Sequence, residues 1–253
     1  MKMTKTLVVT THANRKHLLG MIALTGLVLG LAQAQVQAES VFVPNASFES
    51  PELADGAAII NSVPGWTFTG SGAFQTGILN HDDTAFLGVT GGNLPAPALG
   101  PQSTYLHTGG AAGVSIRTTP LTTILPNTTY TLTVAIGVRL DYPSGSGPGQ
   151  GFANLSLYAD GQPFNALSAT DIVASTISRG TFVDFTTSFT TGASGPLIGQ
   201  GLYPFIGYFH DGNAGVSVDN VRLDAIAIPG PTGAALILSA SLLTMRRRRR
   251  VTN

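Results

Sequence analysis

The sequence predicts an all-β protein, an antiparallel β-sandwich of the jelly-roll type. Three observations carry this. Short segments between Val41 and Leu223 alternate apolar and polar residues at period two. Gly, Pro and Asn punctuate them at short spacing, as hairpin and corner turns require. Charged residues make up 10% of the chain and hydrophobic ones 43%, which favours a β-rich extracellular domain over a disordered one.

The strands follow in order. Val41–Val43 opens the sandwich, and Asn45–Pro51 turns the chain towards a strand at Ala57–Asn61. Pro64-Gly65 is a turn from which Trp66–Phe68 leaves as a strand. Asn80–Asp83 is a polar turn before a short strand at Ala85–Val89, and Gly91–Pro101 is a long loop. Ser103–His107 and Gly113–Arg117 are strands around Thr108–Gly110. Thr129–Val138 has the clearest pattern: Tyr130, Leu132, Val134, Ile136 and Val138 alternate with Thr129, Thr131, Thr133, Ala135 and Gly137. After the Gly/Pro/Ser-rich stretch 143–151 come strands at Ala153–Leu157, Val183–Phe189 and Leu202–Phe209, with a hairpin turn at Asp160-Gly161. Asp171–Ser178 is the one segment expected to be a short helix.

The last strand, Gly215–Ala225, changes parity. Val216 and Val218 share one face, whereas Val221, Leu223 and Ala225 share the other. A strand with one buried face changes parity only by adding a residue, so a β-bulge is expected at Asp219-Asn220. It sets a carboxylate at a kink. Glu49, in the turn Asn45–Glu49, sets another near the start, and the two ends are expected to meet.

The termini are separate modules. Residues 1–38 read as an export signal: a basic start, the apolar run Leu18–Ala32, then small-residue cleavage sites. The sandwich spans 39–225, and 226–253 form a tail. That tail breaks at Pro229-Gly230-Pro231, continues as the apolar run Thr232–Met245, and ends in Arg246, Arg247, Arg248, Arg249 and Arg250. The run reaches about 21 Å as a helix, short of a ~30 Å hydrocarbon core, and Arg snorkelling would make insertion marginal. The sequence thus predicts an N-terminal signal helix and a C-terminal membrane helix flanking the sandwich.

The zero net charge hides an asymmetry. Between the two basic ends the body holds four arginines and thirteen acidic residues, a net charge of −9, and no lysine. Such a body repels nucleic acid and suits a cation. With no cysteine, disulfides and thiolate metal sites are excluded. The histidines have no metal-ligand spacing, no G-x-S-x-G is present, and Gly145–Gly151 lacks the lysine of a phosphate cradle. His81-Asp82-Asp83 and His210-Asp211 sit in turns, where Asp is favoured for its backbone bonding. Trp66, the single Trp, reads as a core anchor or as a sugar-stacking platform.

The layout of 229–250 resembles the PEP-CTERM sorting signal of exosortase-processed bacterial surface proteins, with Gly230 where that signal usually has Glu. The resemblance implies export, signal peptidase and an exosortase-like enzyme as partners, transient membrane anchoring, and association with extracellular polysaccharide at the surface of a Gram-negative-type bacterium. The body resembles the galactose-binding-like jelly rolls, among them carbohydrate-binding-module-like domains and the Stig-type cyclases. The stretches are Asn45–Glu49, Pro64–Trp66, Tyr105-Leu106, Leu125–Val134, Gly137–Asp141 and Ser217–Leu223. That likeness implies a structural Ca²⁺ where the first and last strands meet, with Glu49 and Asp219 as ligands; the alternative is that Asp219 and Asn220 only shape a turn.

The expected function is an exported, non-catalytic sandwich that binds glycan or organises matrix, with Trp66, Tyr105, Asp141 and Tyr208 as candidate ligand contacts. One alternative, implied by likeness to the cyclases, is an enzyme with an aromatic pocket and a carboxylic acid proton donor. Tyr105, Asp141, Phe205 and Tyr208 would line that pocket, and Asp219 would be the acid if it binds no cation. A purely structural surface protein is the other.

Overall fold

The computed structural model describes residues 38–81, 84–110, 112–141, 151–160, 166–210 and 212–228. The strands are β1 (Ala38–Val41), β2 (Ala58–Ile60), β3 (Thr67–Ser71), β4 (Phe74–Asn80), β5 (Gln102–Gly109), β6 (Ala112–Arg117) and β7 (Thr122–Thr123). They continue with β8 (Thr128–Val138), β9 (Phe152–Ala159), β10 (Ala166–Val173), β11 (Thr181–Thr190), β12 (Gly201–His210) and β13 (Asn213–Ala227). One sheet runs β11-β8-β13-β5-β4-β2, with β1 also on β13; the other runs β10-β9-β12-β6-β3, with β7 also on β12. The expected all-β antiparallel sandwich is what forms. The expected terminal helices lie outside the described residues, among which no helix is long and apolar enough to cross a membrane.

The period-two reading of β8 holds residue by residue. Tyr130, Leu132, Val134, Ile136 and Val138 are all fully buried between the sheets. Opposite them lie Leu155 and Leu157 of β9 and Leu202 and Ile206 of β12, in the same core. The apolar stripe of each strand is thus removed from water by the other sheet, the main gain that offsets ordering the chain.

β13 is the long central strand. One edge pairs with β8 along most of its length. The other pairs with β5 over Asn213–Val218 and with β1 over Leu223–Ile226. The register to β8 slips where the neighbour changes. Asp219 stands opposite Ala135 and Arg222 opposite Thr133, so one extra residue is inserted between them. Asn220 takes φ 46°, a left-handed conformation that Asn tolerates. The freed N–H of Val221 donates to the Ala46 carbonyl at 2.9 Å, tying the first turn to the last strand.

Three local expectations are corrected. Asp171–Ser178 is not a helix. β10 runs to Val173, with Asp171, Ile172 and Val173 paired to Asn154, Ala153 and Phe152, and only a 3-10 turn, Ala174–Thr176, follows. Cross-strand pairing of Ile172 and Val173 overrides a weak helical preference. Ala85–Val89 is not a strand either. Ala85 and Phe86 are buried with Leu94, Ala98, Ala135 and Phe182, so this stretch is drawn over the outer face of the β8–β11 region. Finally, β4 forms where the sequence named no strand, because Thr76, Gly77 and Ile78 are buried in succession and leave no alternation. The last strand also continues to Ala227, two residues past the expected domain end.

Tyr130 closes one end of the core. Its hydroxyl accepts from the Leu125 N–H at 2.8 Å and donates to the Thr123 carbonyl at 3.2 Å. Tyr130→Phe leaves both groups without their partner. The expected loss is about 1–3 kcal/mol of unfolding free energy, with an unchanged denaturant slope, measured by urea titration.

Candidate functional site

The outward face of the seven-stranded sheet is partly roofed by the segment between β4 and β5. Beside that roof lies a cavity of about 320 Å³. Ala58 and Ile60 of β2 and Leu79 of β4 make its apolar wall. Gln75 of β4, Tyr105 and His107 of β5, and Arg139 and Asp141 just beyond β8 make its polar wall. Register explains the grouping. Gln75 pairs with His107, Gly77 with Tyr105, Ile60 with Gly77, and Ala58 with Leu79, so these positions share one face of three adjacent strands.

The polar wall is organised by an ion pair. Arg139 donates from Nε to Asp141 Oδ1 at 2.8 Å and from a terminal nitrogen to Oδ2 at 2.5 Å. A carboxylate with both oxygens on a guanidinium is favoured in its charged form. His107 is pushed below the usual imidazole range, chiefly by burial and against a raising hydrogen bond from Asn213. Burial likewise pushes the Tyr105 phenol up. Near neutral pH the pocket therefore presents a neutral imidazole, a neutral phenol and an anion neutralised by Arg139.

A second constellation sits at the bulge. Asp219 is fully buried, and its Oδ2 accepts from the Leu99 N–H and its Oδ1 from the Asn220 N–H, both at 2.6 Å. Glu49 accepts from the Gln102 N–H at 3.0 Å. Its carboxylate also fills the space beside Gly100, where φ is +77° and a Cβ would collide with it. The two acids thus hold the same stretch, Asp219 at the Leu99 N–H and Glu49 at the Gln102 N–H, and Asn220 donates from its amide to the Pro97 carbonyl at 2.7 Å. Burial first, and then the charge of Glu49, push Asp219 up to about 8, against the two backbone hydrogen bonds. Glu49 is raised as well, chiefly by burial.

The candidates named from sequence divide accordingly. Tyr105 and Asp141 line the cavity. Trp66 does not. It is 7% exposed, donates from its indole to the Pro44 carbonyl at 3.0 Å and packs on Phe48, which makes it a core anchor. Tyr208 is fully buried in the other sheet, and Phe205 lies on that sheet's β12. Glu49 and Asp219 are brought together, but neither lines the cavity, so Asp219 is not positioned as its acid. Pro229–Pro231 and Arg246–Arg250 lie outside the described residues, as do Asp82, Asp83 and Asp211. Sequence reasoning missed His107, Gln75 and the pairing role of Arg139. The signal for His107 was its place two residues after Tyr105 on one strand. Ser217 was missed too. It pairs with Tyr105 on one side and Gly137 on the other, and its buried hydroxyl has no hydrogen-bond partner among the described residues.

Comparison with curated proteins finds no sequence match. Solved structures are more informative. An apo cyclase from Fischerella sp. aligns at 23% identity over 76% of this chain and 98% of that one, with a TM-score of 0.59. The Stig cyclase Fisc from Fischerella sp. TAU, in complex with (3Z)-3-(1-methyl-2-pyrrolidinylidene)-3H-indole, aligns at 24% over 76% and 100%, also at 0.59. Another cyclase from Fischerella sp. TAU aligns at 25% over 76% and 100%, at 0.57. The family model of the HpiC1 cyclase matches residues 39–224, essentially the whole sandwich, and the chain therefore belongs to the HpiC1-like family.

Proposed function

We propose that this protein is a cyclase-type enzyme that takes an apolar, ring-bearing small molecule into the cavity beside β5. What supports this reading is that cavity, with one apolar and one hydrogen-bonding wall, in a chain of the HpiC1-like family. Family membership thus favours the cyclase reading over the non-catalytic glycan binder expected from sequence. The basic, apolar N-terminal segment before β1 and the apolar, Arg-ended segment after β13 are read as export signal and sorting tail, so the enzyme would act outside the cytoplasm.

Ring closure moves a proton between two atoms of one substrate. The group that serves it has to give and take a proton near neutral pH. His107 fits, since burial keeps it neutral, with one N–H and one lone pair. Tyr105 would stack on the substrate ring and donate from its hydroxyl. Asp141, held by Arg139, would face positive charge developing on the substrate. Ala58, Ile60 and Leu79 would exclude water from the closing ring. The carboxylic acid donor expected from sequence gives way to the imidazole, because Asp141, the carboxyl group of the cavity among the described residues, is ion-paired.

The bulge constellation we read as a structural Ca²⁺ clasp. Two carboxylates, one from the first turn and one from β13, are hard oxygen donors, and their mutual repulsion is what a divalent cation relieves. Among the described residues no three of His, Cys, Asp and Glu gather, so main-chain carbonyls and water would complete the shell, as Ca²⁺ accepts. Glu49 and Asp219 would hold the ion, and its role would be to fasten the Leu99–Gly100 loop to β13.

Two measurements test these readings. Titration with 4-(1H-indol-3-yl)butan-2-one, with which a cyclase from Fischerella sp. TAU has been solved in complex, is expected to saturate. Tyr105→Ala weakens this binding about tenfold. His107→Gln leaves binding within about twofold but lowers turnover of a cyclising substrate by about 10²–10⁴. Absence of saturable binding, or indifference to Tyr105→Ala, sinks the pocket assignment.

Stability tests the clasp. Below about pH 3 Asp219 is neutral in the folded and unfolded chain alike. As pH rises the unfolded carboxyl ionises first, while the folded one keeps its proton to about 8. The folded state then binds more protons, so stability falls across that interval, and Glu49 acts with the same sign. The melting temperature in metal-free buffer is expected to drop from about pH 5 to about pH 8, and Asp219→Asn removes most of that drop. Millimolar Ca²⁺ raises the neutral-pH melt of the native chain and not of the Asn variant. A melt indifferent to Ca²⁺ excludes the clasp.

A further inference from the structure

The six-stranded sheet turns away from the pocket, and its outward face carries an aromatic surface that the proposed chemistry does not use. β12 sends Phe205 and Phe209 to this face together with a Tyr203 that is itself buried, and β9 sends Phe152 and Tyr158. Phe209 pairs with Phe152 in register; their centroids are 5.3 Å apart and their planes within 25° of parallel. They keep 38% and 42% of their surface exposed, and Val173, next in register to Phe152, keeps 49%.

Glycines hold these rings down. A Cβ on Gly113 would lie 2.6 Å from the Phe209 ring, and one on Gly207 would lie 3.1 Å from both Phe209 and Phe205. With no side chain beneath them, the rings rest on the backbone instead of standing off the sheet. That is a preorganised stacking surface, which loses little side-chain entropy on binding. Continuous with this pair along β12, where Phe205 and Phe209 both lean over Gly207, stands a second aromatic group. There Tyr158 lies 5.9 Å from Tyr203 and 5.3 Å from Phe205, and the Arg117 guanidinium is 5.7 Å from the Tyr203 ring.

Polar side chains flank the aromatic strip on either side of Gly207. The Asn154 amide donates to Asp171 at 2.7 Å and accepts from the Ser156 hydroxyl. Further along, the Thr69 and Ser115 hydroxyls share a hydrogen bond of 3.0 Å.

We propose that this face binds a neutral glycan chain. A pyranose presents an apolar C–H face and a rim of hydroxyls. The first suits a flat aromatic ring. The second suits the accessible Asp171 carboxylate, Asn154 amide and Thr69 hydroxyl, the last two hydrogen-bonded by the buried Ser156 and Ser115. Charge selects against other polymers. The aromatic and polar rows include one Arg and one Asp, and the body carries a net charge of −9, which repels polyanions. The site is on the opposite sheet from the pocket and does not depend on the cyclase reading.

Affinity electrophoresis of the full chain in detergent, through gels holding soluble galactan, glucomannan or alginate, tests the proposal. At least one neutral polymer is expected to retard the chain, and anionic alginate is not. Phe152→Ala and Phe209→Ala each weaken retention about tenfold, while Phe209→Tyr keeps it within about twofold. Tyr105→Ala, in the pocket, leaves it unchanged. If Phe209→Ala unfolds the sheet, Phe152→Ala decides, since no glycine contact depends on Phe152. The proposal is overturned if neither neutral polymer retards the chain, if alginate retards it equally, or if Phe152→Ala has no effect. It is also overturned if the ring substitutions change the sedimenting mass instead, which marks a contact between two copies.

Discussion

The seven-stranded sheet depends on how β13 changes neighbours at Asp219. A strand paired continuously on both edges has no free N–H in its middle and no place for a buried carboxylate. Here β5 stops at Val218 and β1 begins at Leu223, and the inserted residue at Asn220 fills the gap. The gap admits the first turn, through Val221 and Ala46, and the loop before β5, through Leu99. One bulge therefore fastens three distant parts of the chain. Its cost is a fully buried Asp219 held against the charge of Glu49. Burial of that carboxyl links the stability of the fold to its protonation state.

The roof over the outward face of the same sheet follows from this fastening. With Leu99 and Gly100 pinned, the preceding residues lie across β8 and β11. Phe86 packs there on Phe182 at 4.6 Å, and Ala85, Leu94 and Ala98 join them. The roof stops short of β2 and β4, and the uncovered remainder is the cavity. Small residues on β8 make room: a Cβ on Gly137 would lie 2.8 Å from the Phe182 ring. The other sheet has no such roof among the described residues. Its glycines, Gly113 and Gly207, are covered by its own aromatics instead. The same device, a ring over a glycine, closes one outer face and furnishes the other.

Much of this architecture was legible before any coordinates. The alternation in Thr129–Val138 named five core residues, and all five are buried. The parity fault in Gly215–Ala225 placed the bulge between the correct residues. Strand β4 was hidden because burial on both faces erases alternation. Ala85–Val89 misled because apolar residues under a roof look like those in a strand. The candidate site was less legible. Tyr105 and Asp141 were found, but Trp66 and Tyr208 belong to the core, and His107 and Gln75 went unnamed.

What the sequence determined by itself was which residues turn inward, where the chain breaks and where one strand slips register. These are local properties, set by side-chain period and by the backbone preferences of Gly, Pro and Asn. Only the tertiary structure decided which outward residues meet. Tyr105 and His107 share a wall with Gln75 because β4 and β5 pair in one register, and Phe152 meets Phe209 because β9 and β12 pair in another. Cross-strand register is a non-local property, and a single chain read along its length does not contain it.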